Sequence, residues 1–256
     1  MLFTRTTFVG IDLTGGRRPF VYAAMDHERC LLALSQGEME DVLAFLAGQE
    51  AAFVGVNAPR SPSRGLLTRE EVRRTLTPPP RAGRWSDFRV CEYELRQHNI
   101  RVIPTPRREE DCPTWMQTGF KLYHKLESLG YRPYPAGEDV PLQYLEVNPH
   151  ASYTALLEVI PFPKFSLEGR LQRQLALYER EVDVYDPLRF LEEVTRHKLL
   201  RGLLPVEQIY EPVELDALVA AYTAWAAGAH PEQITLLGDP LEGRICLPVG
   251  ELKGKY

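Results

Sequence analysis

The sequence is poor in the features that mark several large classes of protein. No apolar run approaches the roughly 20 residues of a bilayer-spanning helix, and the first residues form no basic-then-apolar leader, so neither a membrane protein nor a secreted one is expected. Cysteine is scarce. Cys30, Cys91, Cys112 and Cys246 stand far apart without a CxxC pair, which argues against a zinc site or disulfide framework and for reduced thiols in a cytoplasmic protein. There is no surplus of positive charge: 30 Lys and Arg against 35 Asp and Glu leave a formal net charge of −5. A protein that coats nucleic acid would carry the opposite balance, although a local basic patch is compatible with it. His27, His98, His124, His150, His197 and His230 never fall at HxxxH or HExxH spacing, and no GxSxG, P-loop or GxGxxG occurs.

What is present is an ordinary apolar fraction, 44% of 256 residues, enough for a sizeable core in one or two domains. The 21 prolines exceed the usual share of about 5%, so long, stiff connections are expected. Three short apolar runs, Thr7–Leu13, Phe20–Met25 and Cys30–Leu34, are separated by turn residues and read as an antiparallel meander. A helical period follows from Glu38 to Gly48, then the near-continuous apolar strand Ala52–Val56, buried on both faces. Residues 60 to 85 hold seven arginines and a triple proline, the mark of a lid, binding loop or mobile excursion laid over a functional rim, with a short helix inside Thr68–Leu76. Further on, helices are expected over Asp87–His98, Trp115–Leu129, Asn148–Glu158, Ser166–Glu181, Asp186–Leu200 and Val213–Ala227, the last closed by Gly228. Strands are expected at Arg101–Ile103, Gln143–Val147, Ile234–Leu237 and Arg244–Leu247, the last two as edge strands. The simplest organisation is a single domain over 1–256, with a loop insertion at about 60–85 and an added helical portion at about 160–210.

Three acidic residues stand at element boundaries. Asp12 interrupts the first strand before Thr14-Gly15-Gly16, where a plain turn carboxylate would also serve. Glu146 lies between apolar Leu145 and Val147, an expensive place for a charge unless it is paired, cation-bound or exposed on an edge. Asp216 sits early in the last helix, favoured there by the helix dipole, on a face with Ala220, Thr223 and Ala227 whose small side chains let the helix lie close to a sheet. Three carboxylates from two strands and a helix suit a hard divalent cation.

The runs Gly10-Ile11-Asp12-Leu13-Thr14-Gly15, Val54-Gly55-Val56-Asn57-Ala58-Pro59, Arg89-Val90-Cys91-Glu92, Leu95-Arg96, Glu146-Val147-Asn148-Pro149, Asp216–Ala224 and Glu242–Pro248 resemble those of the domain of unknown function 429 family, predicted ribonuclease H-like nucleases. The resemblance implies a ribonuclease H-like α/β fold, its mixed β-sheet having three antiparallel strands and then parallel ones, flanked by helices. It implies an acidic Mg²⁺ or Mn²⁺ site at Asp12, Glu146 and Asp216, with Asn57 in the same centre where the family typically places an aspartate. An amide there lowers the ligand charge by one, which weakens a two-cation mechanism.

Three functions follow from this reading. The first is a metal-dependent nuclease with catalytic Asp12, Asn57, Glu146 and Asp216, its substrate phosphates met by Thr14, Arg81, Arg84 and Arg96. The second is a catalytically silent module of the same fold that binds nucleic acid or a nucleotide, which Asn57 favours. The third is a phosphotransferase of the actin and sugar-kinase kind, to which Asp12-Leu13-Thr14-Gly15 looks similar although no second phosphate turn or adenosine motif accompanies it.

Overall fold

A strand buried at every position must lie inside a sheet, and β1 (Thr7–Asp12) is such a strand. In the computed structural model, which describes residues 6–16, 19–137 and 139–256, β1 pairs antiparallel with β2 (Phe20–Met25), and β2 pairs antiparallel with β3 (Leu31–Gly37). Helix α1 (Met39–Ala47) then crosses over to β4 (Ala52–Asn57), which runs parallel to β1 on its free side. Next come α2 (Glu70–Thr75), α3 (Val90–Gln97), α4 (Thr114–Ser128), the two-residue β5 (Arg132–Pro133), and β6 (Leu142–Val147) parallel to β4. Helices α5 (Pro149–Leu157), α6 (Leu167–Tyr178), α7 (Leu188–Glu193), α8 (Arg196–Leu200) and α9 (Pro212–Ala229) precede β7 (Thr235–Asp239) and β8 (Gly243–Leu247). The sheet order is β3-β2-β1-β4-β6-β8-β7, with β5 on β6. Three antiparallel strands followed by parallel ones, with helices on both faces, make the ribonuclease H-like arrangement.

Strand alternation divides the core in two. Phe8, Leu145 and Val147 point toward α9, α5 and α6, while Val9, Ile11, Val54, Val56 and Tyr144 point toward α1 and α4. On the first face the helix meets backbone. A Cβ on Gly10 would fall inside the Ala217 carbonyl and Ala221 amide, and one on Gly55 would lie 2.5 Å from the Ala220 carbonyl oxygen. Only glycine lets α9 seat this deeply, opposite its own run of alanines.

Several boundaries differ from expectation, each for a local reason. Gly228 does not close the last helix but lies within it, where a Cβ would come 2.8 Å from the Phe8 ring and 3.0 Å from that of Phe53. The helix expected over Asp186–Leu200 is broken in two by extended Val194 and Thr195, the Thr195 side chain capping α8 by accepting from the Lys198 N–H. Arg101–Ile103 forms no strand; the run is only three residues long and ends at Pro104, which has no N–H to donate. Arg244–Leu247 is interior, between β6 and β7, so of the two strands expected at the edge β7 alone is there.

The backbone contact predicts a sharp contrast between glycines. Gly55→Ala should cost at least about 3 kcal/mol in urea unfolding, since α9 must move. Gly48→Ala, at a helix end with negative φ and only the Phe45 carbonyl oxygen at 3.6 Å, should stay within about 1 kcal/mol of the parent. Equal effects at the two positions would remove the close approach as a constraint.

Candidate functional site

Parallel pairing of β1 with β4 sets Asp12 beside Asn57 at the carboxyl ends of the two strands, on the face of Gly10 and Gly55. The Asn57 Nδ2 donates to Asp12 Oδ2 at 2.6 Å, and the Thr14 N–H donates to Asp12 Oδ1 at 2.6 Å. Because α9 is seated on the glycines, it carries Asp216 to the same place. Both carboxyls are 4% exposed. Burial raises the Asp12 pKa, opposed by the bonds from Asn57 and Thr14 and by the Lys164 charge. Burial pushes Asp216 up to about 6; Lys164 opposes this and the neighbouring Asp12 charge adds to it. Two acids thus share one region, with one ammonium: Lys164 Nζ lies 2.7 Å from Asp216 Oδ2.

A cleft of about 270 Å³ opens on this face, with Asn57, Asn148, His150, Lys164, Arg173 and Asp216 in its wall. Arg173 is fixed by bonds to the Phe162 and Gly169 carbonyls and lies 5.4 Å over the Tyr153 ring. The His150 pKa is lowered by burial first, then by the Arg173 and Lys164 charges, which keeps the ring neutral at neutral pH. The cleft is therefore two-signed, with the Asp216 carboxyl and the cations Lys164 and Arg173 in its wall.

Glu146 is not part of that cluster. Its register partner on β4 is Val56 rather than Asn57, so it projects to the opposite face, toward α4. There Arg89 Nη1 holds both of its oxygens, at 3.1 and 2.9 Å, and the Arg60 N–H donates to Oε1 at 2.7 Å. Burial raises the Glu146 pKa, and the Arg89 charge opposes it. Arg89 Nε also bonds Glu92 at 2.9 Å, while Glu242, fully buried, accepts from the N–H groups of Arg64, Leu66 and Val90 and from the Ser63 hydroxyl. This knot ties α3, β6 and the 60–66 loop to the turn before β8.

Arg81, Arg84 and Arg96 meet each other, but in a groove beside α3 that has no residue in common with the cleft. No residue of the 60–85 segment stands in the wall of the cleft that holds Asp216. The segment is anchored on α3 by buried Leu66 and Leu67, packed with Val90 and Tyr93. Thr14 follows Asp12 in a tight turn at φ 50°, its hydroxyl donating to the Pro19 carbonyl at 3.0 Å. Lys164 and Arg173 were missed from the sequence because nothing in their own neighbourhood links them to Asp216. Arg89, Glu92 and Glu242 stand in the quoted motifs, yet their role needed the fold.

Among the described residues, no group of three or more His, Cys, Asp and Glu side chains is placed to hold a metal ion. Asp12 and Asp216 fit a smaller demand. Magnesium ordinarily takes one or two carboxylates, several waters and the phosphates of its substrate.

The charge knot is testable by itself. Arg89→Met should destabilise by about 3–5 kcal/mol in chemical denaturation, because it leaves Glu146 and Glu92 buried without a counter-charge. Arg89→Lys should rescue little of this, having one ammonium for two separate carboxylates. A stable Arg89→Met protein would mean that the carboxyls are neutral in the native state.

No curated protein and no solved structure is significantly similar to this one. The model of one family, described as "Protein of unknown function (DUF429)", matches residues 10–242, a stretch that begins two residues before Asp12 and ends at Glu242. By that match the chain belongs to the DUF429 family.

Proposed function

We propose that this protein is a metal-dependent phosphodiesterase acting on nucleic acid or a nucleotide, with its centre at Asp12, Asn57 and Asp216 and without Glu146. One observation carries the reading: Asp12 and Asp216 are buried in one region, the Asp12 charge adds to the raised pKa of Asp216, and Asp216 opens on a cleft whose wall holds Lys164 and Arg173. Such a pair is destabilising unless a cation is meant to join it. Asp12 and Asp216 would hold one Mg²⁺ or Mn²⁺, which when bound supplies charge stabilisation at phosphorus and a more acidic water. Lys164, 36% exposed, can leave Asp216 and turn to a substrate phosphate. Arg173, pinned by two carbonyls, offers a fixed positive wall. Asn57 holds the orientation of Asp12, and neutral His150 can accept a proton within the cleft.

A second reading has its own support. Lys164 already neutralises Asp216, and the Asn57 amide turns its hydrogens rather than its oxygen to Asp12. Both favour a silent binding module in which the ammonium permanently takes the place of a metal.

Calorimetry with Mn²⁺ and hydrolysis of a fluorogenic oligonucleotide separate the two. The hydrolytic reading expects Asn57→Asp to tighten Mn²⁺ binding about tenfold and raise turnover, Asp12→Asn to abolish both, and Lys164→Ala to tighten the metal while slowing turnover. Metal binding that is absent in the parent and unchanged in Asn57→Asp would support the silent module.

The pH dependence of stability offers an independent check. The Asp216 pKa is raised to about 6 from an ordinary 3.8, so the native state holds this proton more tightly than the unfolded chain. Its contribution to stability is full below pH 3.8 and is lost as pH rises through 6. Asp216→Asn should therefore match the parent melting temperature at low pH and exceed it at pH 7. A lower melting temperature at pH 7 would mean that the Lys164 ion pair outweighs the burial cost.

A further inference from the structure

The groove that gathers Arg81, Arg84 and Arg96 also includes Lys255, Gln97, Asn99, Trp85 and Tyr93, in a volume of about 460 Å³. Its cations come from three distant parts of the chain: the proline-rich segment, the end of α3 and the C-terminal residues. No Asp or Glu stands in its wall. Among the described residues none of the four cations is within 4.0 Å of a carboxylate, although twelve ion pairs engage side chains elsewhere. In a chain of net charge −5, four unpaired cations converging on one groove form a local field of the opposite sign.

The groove is also built rather than loose. Trp85 is wedged edge-on against Phe88 and Tyr93, with ring centroids 5.1 and 5.5 Å away. The Tyr93 hydroxyl donates to the Pro78 carbonyl at 2.6 Å, tying the proline run to α3. Beneath them Leu66, Leu67, Val90 and Tyr93 form a small apolar core. The Arg84 guanidinium lies 5.6 Å from the Trp85 ring centroid, so a flat cation and a flat aromatic share one wall.

We infer that this groove binds a segment of single-stranded nucleic acid, its phosphates on Arg81, Arg84, Arg96 and Lys255 and a base on the Trp85–Arg84 wall. Charge alone would accept any polyanion. The aromatic and guanidinium planes favour a ligand with its own exposed flat rings, which a single strand offers and a duplex or polyphosphate does not. Gln97 and Asn99 add amides for base edges or sugar hydroxyls. The inference does not depend on hydrolysis at Asp12, because the groove and the acidic cleft have no residue in common.

Fluorescence anisotropy with labelled 12-nucleotide U12 and dT12, in EDTA and with the Asp12→Asn chain, isolates binding from catalysis. Engagement of four cations predicts a slope of log K against log salt of about −3, and the double variant R81A/R84A should halve it and weaken binding at low salt at least tenfold. Arg96→Glu should do likewise without touching the apolar core. Trp85→Leu should lower affinity severalfold while leaving the slope unchanged, with circular dichroism checking that it folds. The inference is overturned if neither oligonucleotide binds the parent at 50 mM salt, or if the charge variants bind as the parent does. It is also overturned if inorganic polyphosphate or a 12-base-pair duplex competes as well as U12 with Trp85 indifferent, since that marks a general anion patch.

Discussion

The seating of α9 on the glycines of β1 and β4 is the contact on which the rest of the structure depends. Gly10 and Gly55 leave no room for a side chain between helix and sheet, so the helix backbone lies against the strands themselves. Everything on α9 is thereby fixed to the register of the parallel pair. Asp216 comes to rest beside Asp12 because Ala217, Ala220 and Ala221 have no bulk to hold it away. A helix lifted by a few ångströms would let water between the two acids and relieve the burial that raises both of their pKa values.

The two faces of the sheet handle buried charge in opposite ways. On the α4 face Glu146, Glu92 and Glu242 are gathered by Arg89 and by backbone N–H groups, and each oxygen has donors. Such a knot holds secondary elements in place. On the α9 face the ion pair that Asp216 makes uses a long, part-exposed lysine. The proposed centre is accordingly on the α9 face, where Asp12 and Asp216 lie together, and leaves out Glu146, which is paired with Arg89 on the other.

The meander, the buried fourth strand, the long α4 and the small-residue face of α9 were legible because each is written in local periodicity and in turn residues. Asp12 and Asp216 were legible as acids at element ends. Glu146 was misplaced for a reason that period-2 patterning cannot supply. Which face a strand residue takes depends on its register with the neighbouring strand, and a shift of one residue separates Glu146 from Asn57. Lys164 was invisible because a lysine in a loop carries no periodic signal. The arginines of the 60–85 segment read in the sequence as candidate phosphate ligands; their place beside α3 is set by Leu66 and Leu67, whose burial no arginine count reveals.

The most direct test of a metal centre at Asp12 and Asp216 is anomalous diffraction from crystals equilibrated with Mn²⁺. The account predicts one strong peak within bonding distance of both carboxylates, with Lys164 turned away from Asp216 and Glu146 still paired with Arg89. A peak at Glu146, or no peak with Lys164 unmoved, would contradict it.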